Sequence, residues 1–369
     1  MRTLTVDVIR VPTRGPGDVS GLLDLIATGK IEPMSILAIL GKTEGNGGVN
    51  DFTREYAVAA LCGALAPHVD LPPDRVEERI AFVMSGGTEG VLSPHITVFT
   101  RAKFVDDRSD GISGKRLSIG IASTRDFLPE ELGRRAQIEE TARAVAIAMA
   151  DAGIADPHDV HFVQIKCPLL TSERIGAASA RGQKTITTSA YGSMGYSRGA
   201  SALGVAAALG EVDRDIHDEH VLRNFELFSA VASTSAGIEL MHNVVIVLGN
   251  SASSASRFTI GHAVMRDAID SSAVIEALKS VGLGVGDSST TGRQLVNIFA
   301  KAEAAPSGSV RGFRHTMLDD SDVGATRHAR AAVGGLIGGL AGSGAVYVSG
   351  GAEHQGPPGG GPVAAIARL

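Results

Sequence analysis

One order of elements runs three times along this chain, and that repetition limits the fold more than any single motif does. Each copy opens on an alternating or apolar strand, at Thr3 to Val11, Arg116 to Ala122 and Arg257 to Val264. A helix follows. The clearest, Glu130 to Ala152, sets Ile138, Ala142, Val145, Met149 and Ala152 at three- and four-residue intervals and stops at Gly153. Shorter counterparts lie at Val19 to Ala27 and Ala273 to Val281. Then comes an apolar strand that ends in a lysine: Ile36 to Gly41 before Lys42, Phe162 to Ile165 before Lys166, Leu295 to Ala300 before Lys301.

Next, a hydroxyl residue followed by arginine is expected to open an alanine-rich helix, as N-cap and first-turn cation, at Thr53-Arg54, Ser197-Arg198 and Thr326-Arg327. A Ser-small-Gly-x-Glu turn then recurs at Ser85 to Glu89, Ser235 to Glu239 and Ser349 to Glu353. Its first and third copies follow strands at Ile80 to Met84 and Ala345 to Val348, and a last strand closes each copy at Ile96 to Phe99, Val244 to Leu248 and Val363 to Ala367. These elements predict an α/β fold of three homologous αβ repeat units, each of four strands and two helices, around a pseudo-threefold axis. The units span 1–103, 112–249 and 255–369, with polar links at 106–111 and 250–254.

Equivalent strand ends that converge would surround one pocket with three lysines, three arginines and three serines. Serine needs a base to become a nucleophile, and a desolvated, neutral lysine can serve. Burial and mutual repulsion push at least one of three crowded lysines toward neutrality. Glycines beside each serine let backbone N–H groups approach a substrate oxygen, and permanently charged arginines grip oxygens of the ligand. The reaction class is acyl transfer to water, and the ligand is a small, oxygen-rich ring. Lys42 and Lys301 each have a glutamate two residues on, Glu44 and Glu303, whereas Lys166 is followed by Cys167 and Pro168. A lysine beside a carboxylate stays charged, so Lys166 is expected to be the base and Ser235 the nucleophile, with Lys42 and Lys301 lining the substrate pocket.

Composition removes several other classes. With no Trp, 4% aromatic residues and a net charge of -6, the chain lacks a stacking or basic surface for nucleic acid. Its two cysteines, Cys62 and Cys167, suit a reducing compartment, and a cytoplasmic location is expected. The uncharged stretch Ala331 to Val348 contains six glycines and reads as a packed helix and a strand, so no membrane partner is expected. Gly41-Lys42-Thr43 resembles part of a phosphate loop, but Ile36 stands where that loop needs its first glycine. A zinc amidohydrolase would want clustered His and Asp ligands, which the eleven histidines do not provide; His217 and His220 have no third ligand in sight. A non-catalytic binder of small anions would use the arginines and leave the serines inert.

Four segments, Gly41 to Gly47, Phe82 to Gly90, Met194 to Gly199 and Tyr347 to Gly356, are long and specific. Through them the chain resembles, along all three units, the ring-opening amidohydrolase family that includes cyanuric acid amidohydrolase and barbiturase. The resemblance implies a homotetramer without a catalytic cofactor, in which a Ser-Lys dyad hydrolyses one amide of a small-molecule cyclic imide. It implies that Ser235 and Lys166 are catalytic. Arg54, Arg198, Arg327 and the pairs Ser85-Gly86, Ser235-Ala236 and Ser349-Gly350 would hold substrate. It further implies a structural divalent cation, Mg2+ or Ca2+, on Glu303 and oxygens of Ala352, Gln355, Gly356, Pro357 and Gly360. If Glu303 binds a cation, the choice of Lys166 by neighbouring charge rests on Lys42 alone. The reaction implied is ring opening of cyanuric acid to carboxybiuret, which decarboxylates to biuret; the alternative is opening of barbituric acid to ureidomalonate. The threefold set of carbonyls on cyanuric acid matches three Arg-Ser sets better.

Overall fold

The second strand of each repeat is apolar at almost every position, a pattern that belongs to strands buried on both faces rather than to a sheet with one wet side. In a computed structural model that describes residues 3–103, 113–284 and 295–369, each of these strands lies between a central core and a helical layer. The first repeat runs β1 (Leu4–Pro12), α1 (Ser20–Ala27), β2 (Ile36–Thr43), α2 (Phe52–Val69), β3 (Ala81–Gly86) and β4 (His95–Lys103). The second runs β5 (Arg116–Ser123), α3 (Arg135–Asp151), β6 (Val160–Pro168), α4 (Ser172–Ala180), α5 (Ala190–Leu209), β7 (Ala232–Gly237) and β8 (Val244–Ser251). The third runs β9 (Phe258–Met265), α6 (Ser271–Ser280), β10 (Leu295–Ala302), a short hairpin of β11 (Ser309–Val310) and β12 (Phe313–Arg314), α7 (Ala325–Ala341), β13 (Tyr347–Gly350) and β14 (Gly361–Arg368).

The three four-stranded sheets share one connectivity: β1-β4-β2-β3, β5-β8-β6-β7 and β9-β14-β10-β13. In each, the fourth strand pairs antiparallel with the first and second, and the second pairs parallel with the third. Each also has a register shift at the start of its second strand, between Ile36 and Ala38, Val160 and Phe162, and Leu295 and Asn297. The threefold α/β reading holds at the level of hydrogen-bond ladders.

One face of every sheet enters a common core. Ala38 and Leu40, Phe162, and Phe299 meet there with Phe99 and Tyr347. Phe299 is the hub, its ring 5.4 Å from Phe162, 5.5 Å from Tyr347 and 6.2 Å from Phe99. Each such ring contributes about 1.5–3 kcal/mol through burial. The opposite faces carry the helices, in separate clusters for the three repeats. The parallel second and third strands therefore end together, near the middle, in all three sheets.

Several local expectations change. The second repeat has a third helix, α4, and the third repeat has the extra hairpin, so two helices and four strands describe only the first. The helix expected from Glu130 starts at Arg135, because Pro129–Glu131 forms a separate 3-10 turn. The link at 106–111 lies outside the described residues. None of the three hydroxyls expected as helix caps serves as one. Asp51 caps α2 through Thr53 N, Gly324 precedes α7, and Ser189 caps α5 through Gly192 N at 3.0 Å. Ser197 is instead inside α5, where its hydroxyl accepts from Gln137 of α3 at 2.8 Å. An earlier acceptor and a buried helix contact outweigh the local capping preference. No helix among the described residues is long and apolar enough to cross a membrane.

Candidate active site

The strand ladders bring the lysines and serines together. Lys42 lies opposite Ser85, Lys166 opposite Ser235, and Lys301 opposite Ser349, each pair on neighbouring parallel strands at the same step of the register. Ser85, Ser235 and Ser349 open on one small cavity, together with Gly86, Ala236, Gly350, Arg54, Arg198 and Arg330. The hydroxyls of Ser235 and Ser349 are 3.2 Å apart. Sequence reasoning named all of these except Arg330. Arg327, expected as the third arginine, does not line the cavity: it lies half-exposed, bonded to Glu89 at 3.0 Å. Helix phase explains the difference, since α7 turns Arg330 inward one turn later.

The three arginines hand over between repeats in a cycle. Arg198 of the second repeat makes a paired hydrogen bond to Glu353 of the third, at 2.8 and 2.6 Å. Arg330 of the third repeat makes the same paired bond to Glu89 of the first, again at 2.8 and 2.6 Å. Arg54 of the first repeat reaches the second, but there it donates to the Ala236 carbonyl at 3.1 Å, while its other terminal nitrogen stays with Gly48 O of its own repeat at 2.7 Å. Its Nε is buried without a partner among the described residues. Glu239, the equivalent glutamate, pairs with Lys166 instead. The glutamates were visible as part of the repeated turn, yet nothing local in the sequence says which cation each one takes.

The glycine two residues after each serine makes this possible. A Cβ on Gly87 would lie 2.5 Å from Arg330 Nε, and one on Gly351 would lie 2.7 Å from Arg198 Cζ. Both have positive φ, 107° and 75°. A Cβ on Gly237 would meet Lys166 Cε at 2.5 Å. Glycine is required because a guanidinium or an ammonium stem occupies the side-chain position.

The lysines differ accordingly. Lys42 donates to Ser85 Oγ at 3.1 Å, and burial, then the Arg330 charge, hold its ammonium well below the usual lysine range. Lys301 donates to Ser349 Oγ at 3.1 Å, to Thr234 O at 2.8 Å and to Gly350 O at 2.9 Å. Burial, then Arg198, lower it to about 7. Among the described residues no carboxylate pairs with either, and Glu44 is exposed. The expectation that Lys166 is the lysine free of a carboxylate is therefore overturned. Glu239 sits 73 residues away in sequence and beside it in space. Burial alone would raise the Glu239 carboxyl, but Lys166 brings it below its ordinary value. Tyr347 is a further residue that sequence reasoning missed: it is fully buried, and its ring lies 5.9 Å from Lys42 Nζ. Cys167 is buried with its thiol pushed up by desolvation, which suits a packing role.

Residues 7–368 match the family described as amidohydrolase ring-opening protein. The chain belongs to the ring-opening amidohydrolase family. Cyanuric acid amidohydrolase of Bradyrhizobium diazoefficiens is 77% identical over 369 residues, covering 100% of both chains. The enzyme of the same name from Pseudomonas sp. strain ADP is 59% identical over 364 residues, 98% of this chain and 99% of the other. Among solved structures, a cyanuric acid hydrolase described as an evolutionary innovation by structural concatenation superposes with a TM-score of 0.96 at 58% identity, covering 100% of both chains. The cyanuric acid hydrolase from A. caulinodans gives 0.90 at 50% identity over 99% of both chains. As a family member the chain is a cyclic amide hydrolase with a concatenated threefold fold.

Glu303, expected as a cation ligand, is buried beside Glu353. That burial, then the Glu353 charge, pushes its carboxyl up to about 7. The turn that carries Ala352, Gln355, Gly356, Pro357 and Gly360 bends at Gly356 and Gly359, whose φ values are 97° and 87°. The Gln355 side chain is already used, accepting from Thr234 N at 2.7 Å. Among the described residues no three His, Cys, Asp or Glu side chains gather, so any cation here would rest on one carboxylate and backbone oxygens, a set that fits a hard ion.

Proposed function

We propose that this chain opens the ring of cyanuric acid, with Ser235 as nucleophile and Lys166 as its base, giving carboxybiuret that loses carbon dioxide to form biuret. The observation that carries this reading is the convergence of three register-matched Lys–Ser pairs and three arginines on one cavity. A ring with three equivalent carbonyls fits three equivalent sets; barbituric acid, with carbon in place of one ring nitrogen, fits them less well. Both names attached to the relatives agree with the first.

Ser235 is favoured over its counterparts by what surrounds it. It is the most open of the three, 8% exposed against 5% for Ser85 and 3% for Ser349. Arg54, whose guanidinium has no carboxylate partner among the described residues, lies against Ala236 and can stabilise negative charge on the attacked carbonyl. Lys166 takes the Ser235 proton, gives it to the departing ring nitrogen, and repeats the exchange with water to release the acyl group. Backbone N–H groups beside the serines assist as oxyanion donors. Glu303 and the turn oxygens of Ala352, Gln355, Gly356, Pro357 and Gly360 would hold Mg2+ or Ca2+ as a structural ion that neutralises the Glu303–Glu353 corner. A parallel assay on cyanuric and barbituric acids tests the substrate. Release of biuret and carbon dioxide from the first, with slower turnover of the second, is expected; preference for barbituric acid refutes the assignment.

A further inference from the structure

A second cavity, a cleft of about 850 Å³ between the first and second repeats, reaches the back of the site. Its floor includes Lys166 and Glu239, and its walls include Glu77, His242, Phe82 and Met84. Lys42 and Lys301 border neither cavity. Lys166 thus occupies a boundary: its strand neighbour Ser235 opens on the arginine-lined cavity, and its own ammonium faces the cleft through Glu239. The pair is graded toward solvent, with the Lys166 side chain 3% exposed and that of Glu239 35% exposed. Glu77 stands on the exposed 3-10 turn Pro73–Glu78.

We infer that this cleft is the proton port of the second Lys–Ser pair, with Glu239 receiving a proton from Lys166 and Glu77 passing it to bulk water. The inference rests on the reading of Lys166 as the base. Ring hydrolysis yields a carboxylic acid that ionises, so each turnover leaves one proton that must be carried away from the site before the base can act again. If that proton returns to Lys166, the resting state is an ammonium–carboxylate pair. Before the next cycle an Nζ–H bond must break and an Oε–H bond form on Glu239, whose proton then leaves for solvent. No electrons are exchanged and no further reactant is needed.

Glu77 is suited to its part. Burial in the cleft wall, then the Glu239 charge, raise its carboxyl above the ordinary range, while Lys166 and His242 pull the other way. Around it stand Glu55 and Cys62 of α2, and Asp74, Glu78 and Arg79 of its own segment. Arg75 is tied to Glu78 at 2.8 Å. His242 is held by Asp126 at 3.0 Å. Glu77 is a positioning residue, since it acts through Glu239.

The test is Glu77→Gln, assayed on cyanuric acid in weak and in strong buffer. The port predicts that kcat in weak buffer falls roughly three- to tenfold with KM unchanged and that added imidazole restores it. A merely structural role would give a loss that buffer does not repair. An unchanged kcat, or a loss indifferent to imidazole, overturns the port. Lys166→Met in the same assay separates the two readings. If it retains turnover, the base assignment itself fails; if it is inactive while Glu77→Gln behaves as wild type, only the port fails.

Discussion

Around Ser85 and Ser349 the polar groups are committed to one another, whereas around Ser235 they are not. Lys42 and Lys301 bond their own serines, and Glu89 and Glu353 are each occupied by an arginine from a neighbouring repeat. At the second pair the exchange is different: Glu239 takes Lys166, and Arg54 is left with a carbonyl. Three copies of one ladder have thus diverged through a single change of partner. Two stations are suited to hold a ring, and one has an unbalanced guanidinium, a lysine with an exit for its proton and the most open hydroxyl. Repetition supplies the shape, and in the function proposed above its local failure marks the reactive centre.

The largest effect that can break this comparison is at the lysines. Lys166→Met should lower kcat by about a thousandfold or more, and Lys42→Met and Lys301→Met by at least tenfold less; steady-state turnover checks it, and equal losses would erase the distinction. The shared core should show no such inequality. Phe299→Ala should cost about 3–5 kcal/mol in stability, with all three repeats unfolding in one transition by denaturant titration. A transition that splits would mean the repeats stand independently. At the cavity wall, Arg330→Met should raise KM about a hundredfold, and Arg327→Met only a few-fold, because only the first faces the ligand. The reverse order would restore Arg327 as the third substrate arginine.

A smaller effect concerns the seam between the second and third repeats. His161 and His262 meet there at 2.8 Å through their Nδ1 atoms. Burial, then the neighbouring His262, lower His161 from 6.5 to about 4, and burial lowers His262 as well. The unfolded chain binds these protons first, so the stability the neutral pair contributes is present above pH 6.5 and is lost as pH falls toward about 4. Buried His95, also lowered to about 4, titrates in the same window. His161→Gln should therefore show a shallower fall in melting temperature over that range than wild type; identical slopes would remove the pair from the account.

Much of this was legible because β-ladders transmit sequence order directly. A lysine at the end of one apolar strand and a serine at the end of the next, repeated three times, must meet if the strands pair in parallel. Partner choice is not written that way. Glu239 comes four residues after its serine just as Glu89 and Glu353 do, yet it takes Lys166 while the other two take arginines. Helix phase was hidden for a similar reason. Ser197 looks like a cap, but α5 begins at Ala190, so Arg198 projects from mid-helix; Arg327 and Arg330 differ by one turn of α7. The carboxylates two residues after Lys42 and Lys301 misled because positions i and i+2 share a face only while the strand continues, and Glu44 and Glu303 each lie just past the end of their strands, β2 and β10.

The most direct test of the unequal triplet is to measure kcat on cyanuric acid for Ser85→Ala, Ser235→Ala and Ser349→Ala side by side. The account predicts that Ser235→Ala falls by about ten-thousandfold while the other two keep turnover within about a hundredfold of wild type. Comparable losses in all three, or the deepest loss at Ser85 or Ser349, would contradict it.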